Sequence, residues 1–114
     1  PQPTTKTEID LGKLNPLLKD PNVKLIECNG AGEKINVITT KHLPTKISLT
    51  KEEINEIIQR FSEKAKIPIQ EGVFKVVVGN LIFSAIISDI VSPRFIIKKM
   101  PQTPIPQPFF KGFY

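Results

Sequence analysis

The side chains that most often perform catalysis are scarce in this chain. It contains one histidine, His42, and one cysteine, Cys28. A nucleophilic mechanism would need His42 as the base for Ser62 or Ser84, together with an acid that orients the imidazole. His42 lies in the segment KHLPT, which is typical of a surface connection between strands and supplies no such acid. The sequence therefore favours a non-catalytic chain, and one His with one Cys cannot assemble a zinc site of the usual nitrogen and sulfur type.

The remaining reactive groups have simpler structural interpretations. Cys28 follows the apolar residues Leu25 and Ile26, which predicts a buried thiol. A single cysteine excludes an internal disulfide and is typical of a reducing compartment. Glu52 and Glu53 fall in the first turn of a predicted helix, where carboxylates complement the helix dipole.

No phosphate-binding loop is present in the sequence. The glycines stand at positions 12, 30, 32, 72, 79 and 112, and none opens the pattern G-x-x-x-x-G-K-[ST]. The stretch NGAG at 29–32 leads into a strand and not into a helix N-terminus, so we predict a tight turn there. We accordingly expect no cofactor in this chain and no hydrolysis of nucleotide by it.

The net charge of +5 favours anionic partners, although the lysines are scattered and Lys98-Lys99 is the only adjacent basic pair. A solvated lysine surface is the simplest interpretation. A nucleic-acid-binding module is an alternative, since basic residues and aromatics could share one face of a sheet. The residues that could supply such a face are Phe74, Lys75, Phe83, Arg94, Phe95, Lys98 and Lys99, although Phe74 and Phe83 lie in apolar runs that predict a core position.

The clearest predicted element is a helix over residues 51–66. Thr50 and Glu53 have the spacing of a capping box, in which each side chain accepts a hydrogen bond from the other residue's backbone N–H. Pro68 ends the segment. The apolar residues of the segment recur at helical spacing and would form one stripe along the helix: Ile54, Ile57, Ile58, Phe61 and Ala65.

The other elements are a short helix and several strands. The helix is predicted over about 10–19, with Asp10 as N-cap and Pro16 bending or splitting it. The run 73–91 is long and apolar, but Gly79-Asn80 between β-branched residues predicts a hairpin of two buried strands. The predicted strands are 23–28, 35–39, 47–49, 73–78, 81–88 and 94–99. This order predicts an α+β sandwich with two groups of antiparallel strands and a central helix.

Three regions follow from composition. We expect a disordered leader over 1–9, an α+β domain over 10–100, and a stiff Pro-rich linker over 101–114. The linker ends in aromatics, and we expect Phe109, Phe110 and Phe113 to be exposed or captured by a neighbouring copy.

Four segments in order resemble the N-terminal domain of the archaeal motor ATPases of type II secretion, type IV pili and archaella. They are PNVKLIECNGAGEKINVITTKH, PTKISLTKEEINEIIQRFSEKAKIPI, GVFKVVVGNLIFSAIISDIVSPRFIIKK and MPQTPIP, which together cover most of residues 20–106. The chain departs from the family where Gly79-Asn80-Leu81 lacks the arginine of a G-x-R turn. It departs again where Lys98-Lys99 replaces the Arg-Lys pair that ends the family's late strand.

The resemblance implies a PAS-like module, and it implies that the linker over 101–114 leads toward a motor domain that is missing from this chain. The module would contact that motor domain and the neighbouring subunits of a hexamer. It would also couple to a membrane-embedded assembly protein and cover ATP. It implies a cytoplasmic position peripheral to the membrane, with ATP and magnesium held by the motor domain and not by this chain. It also implies phosphate contacts from Arg94, Lys98 and Lys99, although lysine offers a point charge and not a bidentate fork. A PAS-like sensor of small molecules is a further alternative.

Overall fold

The computed structural model describes residues 9–100 and consists of a six-stranded sheet with helices on one face. The sheet is antiparallel throughout, and its strand order is β3-β2-β1-β6-β5-β4. The predicted α+β class is confirmed. The predicted linker at 101–114 and all but the last residue of the predicted leader at 1–9 lie outside the described residues, and that last residue, Ile9, is buried. The elements are a 3₁₀ turn Gly12–Leu14, α1 Asn15–Lys19, β1 Leu25–Cys28, β2 Lys34–Ile38, β3 His42–Ser48, α2 Lys51–Ala65, β4 Gly72–Val78, β5 Leu81–Ile87 and β6 Arg94–Lys99.

The two predicted groups of strands join into one sheet through the pairing of β1 with β6. Ile26 lies opposite Ile97, and Cys28 lies opposite Phe95. All four of these side chains are buried. The first and last strands thus lie at the centre of the sheet, which leaves β3 and β4 as its two edges.

Strand β3 is longer than predicted and begins at His42 instead of residue 47. Pro44 lies within it, opposite Asn36 of β2. A proline cannot donate a backbone hydrogen bond, but an edge strand tolerates one because its N–H can face outward. The predicted start of this strand at residue 47 was therefore wrong.

Helix α2 confirms the predicted capping box. The Glu53 backbone N–H donates to Thr50 Oγ1 at 3.1 Å, and the Thr50 backbone N–H donates to Glu53 Oε1 at 2.8 Å. The helix ends where Lys66 takes a left-handed conformation with φ of 59°, and Ser62 Oγ donates to the carbonyl oxygen of Ile67. Since β3 and β4 are opposite edges, α2 connects the two sides of the sheet and covers one face.

The core between α2 and the sheet is built around phenylalanines. Phe61 of α2 stacks on Phe83 of β5 with ring centroids 4.2 Å apart, and Phe83 also contacts Phe74 and Phe95 on the neighbouring strands. All four rings are at most 2% exposed. Aromatic rings at these separations contribute beyond the burial of their area, so this cluster fixes α2 on the sheet.

The N-terminal helical segment is split, as the proline within it predicted. The 3₁₀ turn runs directly into α1, where Pro16 lies in the first turn. Proline is tolerated there because a backbone N–H at that position would have no partner within the helix. Asp10 Oδ1 accepts hydrogen bonds from Asn15 Nδ2 and from the Gly12 backbone N–H. The hydrogen bond from the Asn15 side chain lowers the pKa of Asp10 most, and the one from the Gly12 backbone lowers it further.

The apolar run 73–91 contains the β4–β5 hairpin and the loop after it. Val78 pairs with Leu81 across Gly79-Asn80, and Gly79 has a φ of 60°, which glycine adopts without strain. The predicted turn is confirmed. Within residues 9–100, no helix has the length and apolar character needed to cross a membrane.

Candidate functional site

The sheet has a second face that no described element covers. Because side chains alternate along a strand, each strand sends one set of residues under α2 and the other set outward. The strand register aligns the outward set in rows: Val73, Ile86 and Arg94 form one row, and Val77, Ile82 and Lys98 form another. We call the outward side of β4, β5 and β6 the outer face.

The outer face is apolar and open to solvent. Val73, Val77, Ile86 and Ile96 are between 40% and 68% exposed. Isolated exposed apolar residues are ordinary, but here they lie on adjacent strands and form one patch. We therefore take the outer face as the candidate site.

Three cations surround that patch. Lys75 lies opposite Ser84, Arg94 opposite Ile86, and Lys98 opposite Ile82. All three are exposed, and none takes part in a salt bridge with another residue of the described range. The outward positions of β4–β6 carry no carboxylate, so the outer face combines apolar and positively charged groups.

Two of the three residues predicted to contact phosphate share this face. Arg94 and Lys98 are four residues apart on β6 and both point outward, about 13 Å apart along the strand at the usual rise per residue. The outer face also carries a groove of about 350 Å³, whose lining includes Arg94, Ile86, Ile96 and Glu27. Arg94 and Lys98 thus flank an open apolar surface and do not converge on one point.

The third predicted phosphate contact, Lys99, lies on the other side of the sheet. Its Nζ donates to the carbonyl oxygens of Asp20 at 2.7 Å and Leu17 at 3.1 Å, at the C-terminal end of α1. Burial lowers the pKa of Lys99. An ammonium group at a helix C-terminus satisfies orphan carbonyls and complements the dipole, so Lys99 fastens α1 to β6.

Beside this contact, a larger groove of about 760 Å³ opens at the end of the sheet where β6 finishes. Lys24, Lys98 and Lys99 contribute to its lining, together with Asn80 at the hairpin turn. Lys98 and the hairpin turn thus line the same groove. The Lys99 ammonium also lines it, but already donates hydrogen bonds to two carbonyl oxygens.

The aromatic residues of the sheet do not accompany the cations. Phe74, Phe83 and Phe95 all point into the core, as the apolar runs predicted for Phe74 and Phe83. A stacking surface for bases would need such rings on the same face as the basic residues. Among residues 9–100 the sheet therefore offers cations and aliphatic side chains outward, and aromatic ones inward.

His42 lies at the start of β3, where its Nε2 is 3.0 Å from Glu27 Oε1 on β1. The two residues with which a nucleophilic mechanism would pair it are elsewhere. Ser62 lies in α2 and donates to a backbone carbonyl, and Ser84 lies on β5, beyond β6 from β1. The structure thus pairs His42 with a surface carboxylate and with neither serine.

Cys28 is buried, as predicted. Its side chain is 1% exposed and its Sγ lies 3.7 Å from the carbonyl oxygen of Gly30. Burial raises the pKa of the thiol, which keeps it protonated and unreactive. No three His, Cys, Asp or Glu side chains of the described range come together as metal ligands.

The sequence analysis missed the outer face because it interpreted β4 and β5 simply as two buried strands. A continuous β-branched run is compatible with burial on one face or on both. The signals available were Lys75 in the middle of GVFKVVV and Ser84 in the middle of LIFSAII, which lie opposite each other. Two polar residues at paired outward positions predict a face in contact with water.

Comparisons with known proteins add no identity to this geometry. No known protein-family model matches the chain. The search of curated proteins also found no match.

Proposed function

We propose that this chain is a non-catalytic interaction domain that binds other protein surfaces through its outer face, and that it serves as the N-terminal domain of a hexameric secretion- or pilus-type motor ATPase. The observation that carries the proposal is the uncovered half of the sheet, where aliphatic side chains of β4, β5 and β6 are 40% to 68% exposed. Its partners are its own motor domain and the neighbouring subunits.

A physical argument connects this surface to binding. Each exposed aliphatic side chain costs free energy in water, and burying it against a partner recovers about 25 cal/mol per Å². Interfaces that form and dissociate combine an apolar centre with a polar or charged rim. The outer face supplies both kinds of residue: on β6 Ile96 lies between Arg94 and Lys98, and on β4 Lys75 lies between Val73 and Val77.

The choice of a motor ATPase rests on the four ordered sequence segments and is supported by the α+β architecture. In this role the domain is cytoplasmic, lies at the periphery of the membrane and couples the motor to a membrane-embedded assembly protein. ATP and magnesium are bound by the motor domain. This chain contributes no catalytic group.

Within that role, Arg94 and Lys98 are the residues that contact nucleotide phosphate when the domain closes over the motor. Lys99 is excluded from this contact, because its ammonium would have to leave two backbone carbonyls. The nucleic-acid alternative lacks comparable support, since the buried phenylalanines leave the outer face without aromatic rings among residues 9–100.

Two experiments test the proposal. The coding sequence after codon 114 should contain G-x-x-x-x-G-K-[ST], and a stop codon there would rule out a covalently linked motor. In the full-length protein, Ile96→Glu should weaken hexamer assembly in native mass spectrometry. The matched control is Ile90→Glu, because Ile90 is 90% exposed in the loop between β5 and β6. Equal assembly of both variants would exclude the outer face from the subunit contact.

A further inference from the structure

The two edges of the sheet differ in how they are protected. An open edge presents unpaired backbone N–H and C=O groups, and proteins usually block it with proline, charge or a bulge. Strand β3 has all three: Pro44, Lys46 and a shift of register opposite Lys34–Asn36. The β3 edge is therefore a poor template for another strand.

Strand β4 has little of this protection. It is seven residues long and pairs with β5 without a register shift from Gly72 to Val78. It contains no proline, and Lys75 is its only charged residue. Among residues 9–100, no strand pairs with its outer edge. Its backbone is therefore regular, extended and ready to pair.

The side chains beside this edge indicate which strand would fit it. Outward positions along β4 read Val73, Lys75 and Val77, which is an apolar, cationic, apolar pattern. Cross-strand neighbours stabilise a sheet when apolar residues meet and when charges are opposite. The complementary strand therefore has apolar, acidic, apolar residues at alternating positions.

A second copy of this chain fits less well. If two β4 strands paired antiparallel about their centres, Lys75 would lie opposite Lys75 of the other copy, and like charges directly opposite are destabilising. Each chain also carries a net charge of +5. Arg94 and Lys98 on the same face add to the preference for an acidic partner.

We propose that the free edge of β4 accepts an extended acidic and apolar segment of a partner protein as a seventh strand of the sheet. Main-chain hydrogen bonds supply the affinity, while Lys75 and the two flanking valines select the sequence. This contact uses the edge of the sheet, and it does not depend on whether the chain belongs to a motor ATPase.

The test uses the whole 114-residue chain labelled for NMR and two blocked peptides. One reads glycine-valine-threonine-glutamate-threonine-valine-glycine, and the other has lysine in place of glutamate. With the first peptide, amide shift changes should concentrate in β4, and exchange of β4 amides should slow. The lysine peptide should bind about fivefold more weakly, because one attractive cross-strand pair becomes repulsive.

Two variants give the control. Lys75→Glu should invert the preference between the peptides, whereas Lys46→Glu on β3 should leave it unchanged. The proposal is overturned if the glutamate peptide fails to bind at about 5 mM, if shift changes fall on β3, or if Lys75→Glu does not alter the preference. A concentration-dependent dimer with protected β4 amides would assign the edge to a second copy instead. Protection of those amides in the monomeric chain alone would assign it to a segment of this chain.

Discussion

Lys98 and Lys99 are adjacent in sequence, but their side chains leave β6 on opposite faces of the sheet. Lys98 points outward beside Ile82, while the Nζ of Lys99 donates to two carbonyl oxygens at the end of α1. The only adjacent basic pair of the chain is thus divided between a surface role and a structural one. Loss of the first should affect binding, and loss of the second should affect stability.

Lys99→Ala should therefore destabilise the domain by about 1–3 kcal/mol, because it removes charge-assisted hydrogen bonds to Leu17 and Asp20. Lys98→Ala should change stability by less than about 0.5 kcal/mol, as exposed substitutions usually do. Urea unfolding of the two variants measures the difference. Equal stability of the variants would mean that the contact between Lys99 and α1 contributes nothing.

Removal of a positive charge from the outer face should weaken nucleotide binding. If the full-length protein is the motor ATPase proposed above, Arg94→Ala and Lys98→Ala should each weaken its ATP binding about threefold to tenfold, since each removes a cation proposed to pair with phosphate. Titration with a non-hydrolysable ATP analogue measures this, and Lys75→Ala serves as a control for the charge of the face. Unchanged affinity in both variants would restrict the face to protein contacts.

The capping box of α2 should make stability depend on pH in the acidic range. The hydrogen bond from the Thr50 backbone N–H, supported by Lys13, lowers the pKa of Glu53. A carboxyl group whose pKa is lower in the folded state than in the unfolded state stabilises the fold when the pH is above the unfolded-state pKa, which is about 4.3 for glutamate. That contribution is lost as the pH falls through the lower, folded-state pKa.

Glu53→Gln keeps an acceptor for the Thr50 N–H but cannot ionise, so its stability should fall less between about pH 6 and pH 2 than that of the wild type. Urea unfolding across this range gives the comparison. Asp10 is present in both proteins, so its contribution to the pH dependence cancels in the difference. Parallel pH profiles for the two proteins would contradict the assignment.

The stacked pair Phe61 and Phe83 should couple α2 to the sheet. Their ring centroids are 4.2 Å apart with an interplanar angle of 12°. Phe61→Leu and Phe83→Leu should each cost about 1–3 kcal/mol. The double variant should lose about 0.5–1.5 kcal/mol less than the sum of the two, because either single change already removes the stacking. Additive losses would show that the two rings only fill space.

Local features of the fold were predictable, and long-range ones were not. The capping box at Thr50 and the turn at Gly79-Asn80 depend on residues within a few positions of each other, and both were confirmed. The pairing of β1 with β6 joins residues such as Ile26 and Ile97, and nothing near either one in sequence specifies the other. Pairing of that kind comes from burial in the assembled core.

The candidate site follows the same division. Side chains alternate along a strand, so the predicted strand 94–99 already implies that Phe95 and Ile97 share one face, and both are buried while Ile96 and Lys98 are exposed. The engagement of Lys99 could not be predicted, because its partners Leu17 and Asp20 are about 80 residues away and meet it only after α1 packs on the sheet.

Protection of a cysteine placed at position 96 tests the central claim most directly. Cys28 is buried and its thiol pKa is raised, so an introduced outward cysteine is the reactive thiol of residues 9–100. Ile96→Cys should react with a maleimide rapidly in the isolated chain and at least about tenfold more slowly in the assembled full-length protein, because a partner surface excludes the reagent. Glu52→Cys, on the helix side, is the matched control. An Ile96→Cys thiol that stays equally reactive after assembly would contradict the role of the outer face in binding.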